Sequence, residues 1–415
     1  MDASLETPKP SLLKNVALGI AQILLWGGSY FILSVLAEPI MKETGWTYQM
    51  VYGCLSVSLL VSGLLLPSIG KLISSSERNF VLQYAGVVMA LGLTVLGLSE
   101  HFLLFLLGWT IIGVAMGMGL YDALFASIGK NYGEHTSKAI VQVTLIASLA
   151  PTISWSLVSM LESSFNWRTT CFIYAAILLL TIFPIHSYVF PSAKSTAANP
   201  HEGNQKKAGT KELYRSKIYY LLLINFTLGA ILTTGIVVHL IDILLDKKLA
   251  MATVLSIVAF LGPSQAGVRV LNLVLSNITP VKTAIVSAFA SVAGILLFFL
   301  DPRGAFLGVI FFGMGNGMRS ILRGTLPLSV FGQEHYAVMI GQLARLPLIA
   351  QALTPFAGGF LIQQFGVTVF LYAFLLLACI NIILCYMIRK ALLQQKTDQE
   401  SILVERIPTD VSLSS

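Results

Sequence analysis

Long apolar blocks constrain this chain more than any other feature of its sequence. Residues 80–98 hold no charged side chain, and blocks of similar length recur along the chain. A helix needs about 20 apolar residues to cross the hydrocarbon core of a bilayer. A chain that folds in water usually has about 25% charged residues, whereas only 11% of these 415 residues are charged. The sequence therefore predicts an all-α polytopic membrane protein.

The number of blocks predicts twelve transmembrane helices. They cover residues 15–37, 48–69, 80–98, 102–128, 138–161, 168–190, 218–243, 250–274, 280–300, 304–326, 337–362 and 367–388. A polar stretch rich in Lys separates the sixth block from the seventh, and its composition is typical of a linker. We therefore predict a tail at 1–14, a six-helix bundle at 15–190, a linker at 191–217, a second six-helix bundle at 218–388 and a tail at 389–415.

The positive charges predict the orientation of the helices. Most of the 26 Lys and Arg residues fall in the two tails, the linker and the loops on the same side. Because short loops rich in Lys and Arg stay in the cytoplasm, we expect both termini to be cytoplasmic. The net charge of +7 follows largely from this bias, so we expect the lipid bilayer and no nucleic acid as a partner.

Other classes of protein find little support in the sequence. The four cysteines lie inside apolar blocks without metal-ligand or disulfide spacing, so we expect no metal and no cofactor. The first fourteen residues are polar, include Pro8 and Pro10, and lack the layout of a signal peptide. A membrane-embedded enzyme would need a nucleophile, a base and an electrophile at one surface, and a receptor would need a folded soluble domain. Neither pattern is present in the sequence.

Short motifs recur in the two halves. Residues 117–119 (Gly-Met-Gly) in the fourth block correspond to residues 315–317 (Gly-Asn-Gly) in the tenth. The same distance along the chain separates Tyr174 from Tyr372. With six blocks on each side of one linker, this correspondence indicates a parallel internal repeat about an axis along the membrane normal.

With these features the chain resembles the major facilitator superfamily of secondary transporters, from about Leu13 to Lys390. Residues 70–78 (GKLISSSER) are similar to the superfamily's loop motif after the second helix, with Ser74 in place of its Asp and Glu77 in place of a Gly. The resemblance implies two pseudo-symmetric six-helix bundles that move around a central site, and a monomer.

Some segments are similar to a bacterial branch of the superfamily, which implies a bacterial inner membrane. These segments are residues 121–123, 262–265 and 323–328. Drug antiporters of the superfamily carry a Gly-Pro-x-x-Gly signature in the fifth helix, and residues 149–154 of this chain lack it.

Four arginines inside the predicted spans of the second half are the main functional candidates. An ionisable side chain inside a span is unfavourable unless it is paired or faces water, and only Asp122 and Asp242 are acidic within the spans. Arginine binds a carboxylate or phosphate through two parallel hydrogen bonds, so the excess of positive charge favours a small organic anion as substrate. The predicted substrate-binding residues are Arg345, Arg269 and Arg319, with Gln342 and Gln265 beside them.

Family resemblance and membrane chemistry give different interpretations of these arginines. Oxalate and monocarboxylate carriers of the superfamily use basic residues on the eighth and eleventh helices, which here correspond to Arg269 and Arg345. Alternatively, Arg269 and Arg323 extend to lipid headgroups near the inner surface. A carboxylate, a polycarboxylate or a siderophore-type compound fits the first interpretation, moved by proton coupling or exchange. Efflux of amphiphilic or drug-like compounds is the alternative transport function.

Further residues are predicted to act in gating, coupling and substrate contact. Asp122 is a gating candidate, through a bridge to Lys71, Arg78 or an arginine of the second half such as Arg323; a static pair within the first half is the alternative. Proton coupling needs a group that changes charge, and the candidates are His239, Asp242 and Glu38. Gln22, Trp26 and Tyr30 recur at helical spacing in the first block and are predicted either to line the central site or to pack against other helices.

Overall fold

The computed structural model describes residues 11–75, 80–190, 216–274 and 278–405, and all regular secondary structure within these ranges is helical. The helices of the first half are α1 (Leu12–Thr44), α2 (Tyr48–Ser75), α3 (Phe80–Gly97), α4 (Phe102–Gly119 and Tyr121–Tyr132), α5 (Thr136–Ala147 and Ala150–Ser164) and α6 (Trp167–Val189). The second half begins with α7 (Lys217–Val238 and Leu240–Leu245), α8 (Met251–Val258 and Leu261–Val274) and α9 (Pro280–Leu297).

The last helical stretch, Pro302–Glu405, turns back on itself twice. Gly332 and Gly366 interrupt it with φ angles of 67° and 83°. Side chains other than glycine rarely adopt this left-handed region, so these two glycines permit sharp reversals between consecutive helices. They divide the stretch into α10 (302–331), α11 (333–365) and α12 (367–405).

Length and hydropathy place these helices in a membrane. Eight helical stretches in the described residues are long and apolar enough to span it, and two of them, Phe102–Ser164 and Pro302–Gln395, fold back and contain two and three helices. The short α8 segments supply the remaining span of the second half. The described residues thus form six helices on each side of residues 191–215, which lie outside them, and the predicted twelve-helix fold class is confirmed.

Close glycine contacts recur between equivalent pairs of helices in the two halves. A Cβ at Gly108 of α4 would lie 3.1 Å from the Gly92 carbonyl of α3, and a Cβ at Gly308 of α10 would lie 2.9 Å from the Gly294 carbonyl of α9. Small residues let helix backbones approach closely inside a membrane. Equivalent pairs of helices are therefore held together in the same way in both halves.

The tyrosines that correspond in sequence have different surroundings. Tyr174 of α6 is fully buried, whereas Tyr372 of α12 is 59% exposed and contacts Phe299 with ring centroids 4.9 Å apart. The repeat therefore holds for the helix backbones and not for these side chains.

The two ends of the bundle differ in how the halves meet. We call the end where α1 begins, α6 ends and α7 begins the linker end. There one apolar cluster includes Phe125 and Ile140 of the first half and Tyr336, Ala337 and Ile340 of α11. Towards the opposite end, the cluster around α7, α9 and α12 contains second-half residues alone, whereas the main first-half cluster also includes Ala344, Leu348 and Ala352 of α11. Among the described residues, the segments of α1 and α5 near that end make no extensive contact with those of α7 and α8.

Candidate functional site

The middle of α1 has an irregular turn that positions aromatic side chains. Residues Gly27–Phe31 are π-helical, a geometry often found at functional sites. The Tyr174 hydroxyl of α6 donates to the Leu24 carbonyl at 3.1 Å. A Cβ at Gly27 would overlap that hydroxyl, so glycine at this position allows α6 to stabilise the turn.

Aromatic rings from α1 and α4 meet next to this turn. The ring centroid of Trp26 lies 5.9 Å from that of Tyr30 and 5.4 Å from that of Tyr121, and Tyr121 stacks on Phe125 at 5.2 Å. We call Trp26, Tyr30 and Tyr121 the aromatic cluster. The structure thus brings two predicted lining residues, Trp26 and Tyr30, to a third aromatic side chain near the middle of the bundle.

Gln22 points into the first half. It is fully buried, and its Nε2 donates to the Gly119 carbonyl at 2.7 Å. Gly119 precedes the break in α4 at Leu120, whose backbone is extended. The amide of Gln22 therefore stabilises the end of a helical segment, which agrees with the helix-packing alternative for this residue.

An ion pair joins the halves at the break in α4. Asp122 lies in the first turn of Tyr121–Tyr132, where the helix dipole favours a carboxylate. Arg323 of α10 donates from Nη2 to its Oδ2 at 2.6 Å. Asp122 is almost fully buried and Arg323 is partly exposed. Among the partners predicted for Asp122, the structure thus brings an arginine of the second half to it.

The other predicted partners of Asp122 lie elsewhere. Lys71 is exposed near the linker end of α2, and no hydrogen bond or ion pair to Asp122 is found for it among the described residues. Arg78 lies outside the described residues.

Uncharged contacts reinforce the closure of the linker end. The Tyr336 hydroxyl of α11 donates to the Gly324 carbonyl at 2.9 Å, and the Tyr336 ring lies so close to Gly129 of α4 that a Cβ there would overlap it. The Gln333 amide contacts the Gly133 carbonyl. A Cβ at Gly70 of α2 would lie 2.6 Å from the Ala337 carbonyl. Small residues thus allow the two halves to meet without a gap.

Arg269 of α8 reaches both halves, and none of the described carboxylates pairs with it. Its Nη1 donates to the Thr144 carbonyl of α5 at 3.2 Å, and its Nη2 donates to the Ser320 hydroxyl of α10 at 2.9 Å. A third, longer bond of 3.4 Å runs from Nε to the Gly317 carbonyl. The side chain is buried. Its partner Ser320 lies three residues before Arg323, whose partner Asp122 follows Tyr121 in the chain. A guanidinium held by neutral acceptors therefore lies close to the ion pair at the break in α4.

Arg319 of α10 is held inside the second half. Its Nη1 donates to the Gly229 carbonyl of α7 at 2.8 Å, and its Nη2 donates to the Ser291 hydroxyl of α9 at 3.2 Å. The Thr233 hydroxyl lies 3.4 Å from Nη1 and itself donates to the side-chain Oδ1 of Asn316. These contacts hold α7, α9 and α10 together around a cation.

Arg345 is the exposed member of the four arginines. It lies near the middle of α11, and no hydrogen bond or ion pair is found for its side chain among the described residues. Gln342 of α11 and Gln265 of α8 are partly buried. Their side chains likewise make no hydrogen bond to a described residue, so the amides of both are available to a ligand.

His239 and Asp242 meet at a break in α7. His239 separates Lys217–Val238 from Leu240–Leu245. Its Nδ1 lies 3.3 Å from Asp242 Oδ2, and its Nε2 lies 3.2 Å from the Pro355 carbonyl oxygen of α11. Glu38, the third predicted coupling residue, lies in the other half and pairs with Lys42 at 2.6 Å on an exposed surface.

Tyr121, Tyr336 and Thr144 were not among the predicted site residues. Because Tyr121 directly precedes the predicted gating residue Asp122, its position near the site could have been predicted from the sequence. Tyr336 contributes the shape of its ring, and Thr144 contributes a backbone carbonyl. Patterns of charge or spacing in the sequence predict neither contribution. No group of His, Cys, Asp and Glu suited to a metal ion occurs in the part of the chain that the structure describes.

Comparison with known proteins identifies the family. A search of curated protein sequences finds no match, but the profile of the Major Facilitator Superfamily matches residues 18–344. A crystal structure of the transporter FucP in the outward conformation is similar, with 15% identity, a TM-score of 0.74, and 90% of this chain and 98% of that chain covered.

Two further solved structures show the same fold. The fucose:proton symporter FucP of E. coli is 13% identical, with a TM-score of 0.70 and coverage of 91% of this chain and 99% of that chain. The proton:xylose symporter XylE bound to 6-bromo-6-deoxy-D-glucose is 12% identical, with a TM-score of 0.69 and coverage of 91% and 95%. The chain belongs to the major facilitator superfamily and is a multi-pass membrane transporter, not an enzyme.

Proposed function

We propose that this transporter moves a small organic anion, such as a carboxylate or polycarboxylate, by proton coupling or exchange. The observation that carries the proposal is Arg269, a buried cation between the halves whose hydrogen bonds within the described residues go to two carbonyls and a hydroxyl. A buried charge is unfavourable unless an opposite charge or good hydrogen bonds compensate it. An anionic substrate would supply that opposite charge.

The surroundings of Arg269 support a site for an anion with an organic body. The aromatic cluster offers ring faces and edges against which carbon atoms pack. Asp122 already neutralises Arg323, so a second anion near this position would pair with Arg269. Arg345 and Gln342 on α11 would add hydrogen-bond donors on the second half.

Binding of the anion would also couple to movement of the halves. The Nη1 contact of Arg269 to the Thr144 carbonyl crosses from the second half to the first. A carboxylate that takes both terminal nitrogens of the guanidinium replaces this contact. The substrate would thereby weaken one of the contacts that keep the linker end closed, as alternating access requires.

Thermal unfolding of the purified protein with a panel of ligands tests the proposal. The panel contains the carboxylates acetate, oxalate, succinate and citrate. Glucose and xylose represent sugars, and a cationic amphiphile represents the substrates of efflux pumps. A ligand at 100 times its Kd stabilises the folded state by about 2.7 kcal/mol. We expect stabilisation by at least one carboxylate, and its loss in Arg269→Ala but not in Arg389→Ala, which removes an exposed arginine at the linker end of α12.

Other outcomes would contradict the anion proposal. Stabilisation by the sugars alone would favour a sugar substrate, as in the fucose:proton and proton:xylose symporters of similar fold. Stabilisation by the cationic amphiphile alone, retained in Arg269→Ala, would favour efflux of amphiphilic compounds.

A further inference from the structure

We propose that three hydroxyls of α5, those of Thr152, Ser156 and Ser159, line a water-filled passage between the opposite end and Arg269 and bind the anion as it moves through. The binding rests on the proposed transport of an anion, whereas the passage itself does not. The three residues are exposed. They lie four and three positions apart, a spacing that places them on one face of a helix. We call them the hydroxyl face.

The hydroxyl face differs from the rest of α5 in its hydrogen bonds. A Ser or Thr side chain in a helix can bond the backbone carbonyl three or four residues before it. Other hydroxyls of α5 do so, namely those of Thr144, Ser148, Ser163 and Ser164. For Thr152, Ser156 and Ser159 no side-chain hydrogen bond is found within the described residues. Because an unpaired hydroxyl is unfavourable in hydrocarbon, we infer that this face meets water.

Contacts of the segment Ala150–Ser164 indicate which way the hydroxyl face points. The other side of this segment packs on the first half, where the buried Ser154 hydroxyl donates to the Ile23 carbonyl of α1 at 3.4 Å. A face turned away from the first half meets either lipid or the second half. Ile153 and Met160 form an exposed apolar face that suits lipid. The unpaired hydroxyls suit the space between the halves instead.

The second half has open space on the other side of the passage. Arg269 of α8 donates to the Thr144 carbonyl of α5, so the two helices meet at this depth. Gly262 lies seven residues before Arg269, hence on the same face of α8 and nearer the opposite end. It is exposed, and a Cβ there would have no atom within 4 Å. Open space therefore extends from Arg269 towards the end where the described segments of α5 and α8 make no extensive contact.

Hydroxyls suit the passage of an oxyanion. Each Ser or Thr hydroxyl donates one hydrogen bond and accepts others, so the face replaces hydrogen bonds that a carboxylate loses when it leaves bulk water. Hydrogen bonds between a carboxylate and a charged donor are stronger than those to a neutral one. The anion is therefore held loosely along the hydroxyl face and more tightly at Arg269.

Thiol labelling tests the passage without any ligand. Single cysteines are introduced in a background where the exposed Cys379 is serine and the other cysteines are buried. A cationic methanethiosulfonate reagent reacts with thiolates, which form in water. We expect Ser156→Cys and Ser159→Cys to react at least about tenfold faster than the matched controls Ile153→Cys and Met160→Cys. Equal rates on the two faces, or faster reaction on the apolar face, would overturn the passage.

Thermal unfolding with citrate as the probe tests the binding. The triple variant Thr152→Val, Ser156→Ala, Ser159→Ala removes the hydroxyls, and we expect the Kd of citrate to rise about tenfold. Ser163→Ala with Ser164→Ala is the matched control, because these hydroxyls bond carbonyls of their own helix. A triple variant that binds citrate as the wild type does would overturn the binding role. If no carboxylate of the panel stabilises the wild type, the anion function and the binding role fail together, and the labelling rates still decide whether the passage exists.

Discussion

The linker end and the opposite end of this transporter are built from the same twelve helices but meet differently. At the linker end an ion pair, a buried tyrosine and small residues join the halves. At the opposite end α7, α9 and α12 pack on one another in a cluster of second-half residues. The contrast teaches that an apolar cluster shared by both halves closes the linker end together with a few specific polar contacts between them.

The cross-half contacts also suggest how the closed end opens again. Arg323, Arg269 and Gln333 contact the first half through polar atoms. Polar contacts lose less free energy than apolar ones when water replaces them, because water re-forms their hydrogen bonds. A closed end that must open in each transport cycle benefits from such contacts.

The largest disruption of the linker end is expected from Gly129→Val. Its side chain would overlap the Tyr336 ring, and overpacking of this kind costs about 3 kcal/mol. We expect the fraction of molecules with a closed linker end to fall. The measurement is the distance between spin labels at Lys138 and Arg389, in a background where the exposed Cys379 is serine.

Gly53→Val is the matched control for this substitution. A Cβ at Gly53 of α2 has no atom within 4 Å, so the label distances should match those of the unsubstituted background. Unchanged distances in Gly129→Val would show that Tyr336 moves aside without opening the linker end.

A smaller shift is expected from Asp122→Asn. The amide keeps the shape of the carboxylate but leaves Arg323 without its counter-charge, and a hydrogen bond to a charged group contributes about 2 kcal/mol. The same label pair should report a partial opening. Exchange of the two residues, Asp122→Arg with Arg323→Asp, should restore part of the closure; a double variant as open as Asp122→Asn would indicate that charge attraction does not hold this contact.

The smallest effect is expected from Lys42→Ala at the opposite end. Lys42 and Glu38 are both more than two-thirds exposed, and water and salt screen the attraction within an exposed ion pair. We expect the label distances at the linker end and the melting temperature to stay unchanged. A clear opening or closing at either end would mean that this pair takes part in the transport cycle.

Much of the fold could be predicted from the sequence because membrane insertion depends on local composition. The apolar blocks correspond closely to the helices, as in block 80–98 and helix Phe80–Gly97. The breaks within helices could not be predicted from block length. At the π-helical turn Gly27–Phe31 and the interruption at Leu120, side chains of other helices, Tyr174 and Gln22, donate to nearby backbone carbonyls.

The candidate site could be predicted in its residue types but not in its pairings. Charge inside a span identified Asp122 and the four arginines, because such charges need compensation. The sequence left Lys71, Arg78 and second-half arginines as alternative partners, and folding brings Arg323 to Asp122 across 201 positions of the chain. Spacing along one helix predicted that His239 and Asp242 share a face, whereas the Pro355 carbonyl is 116 positions away.

The sequence by itself determined the class of this protein, the number of its helices and the excess of positive charge in its second half. Hydropathy, helix length and charge are properties of each segment, and they hold whatever the segments contact. The tertiary structure alone decided that the linker end is closed and that Arg319 is held within one half while Arg269 reaches across both. These outcomes depend on which carbonyls, rings and glycines meet, and only the packed arrangement of all the helices determines that.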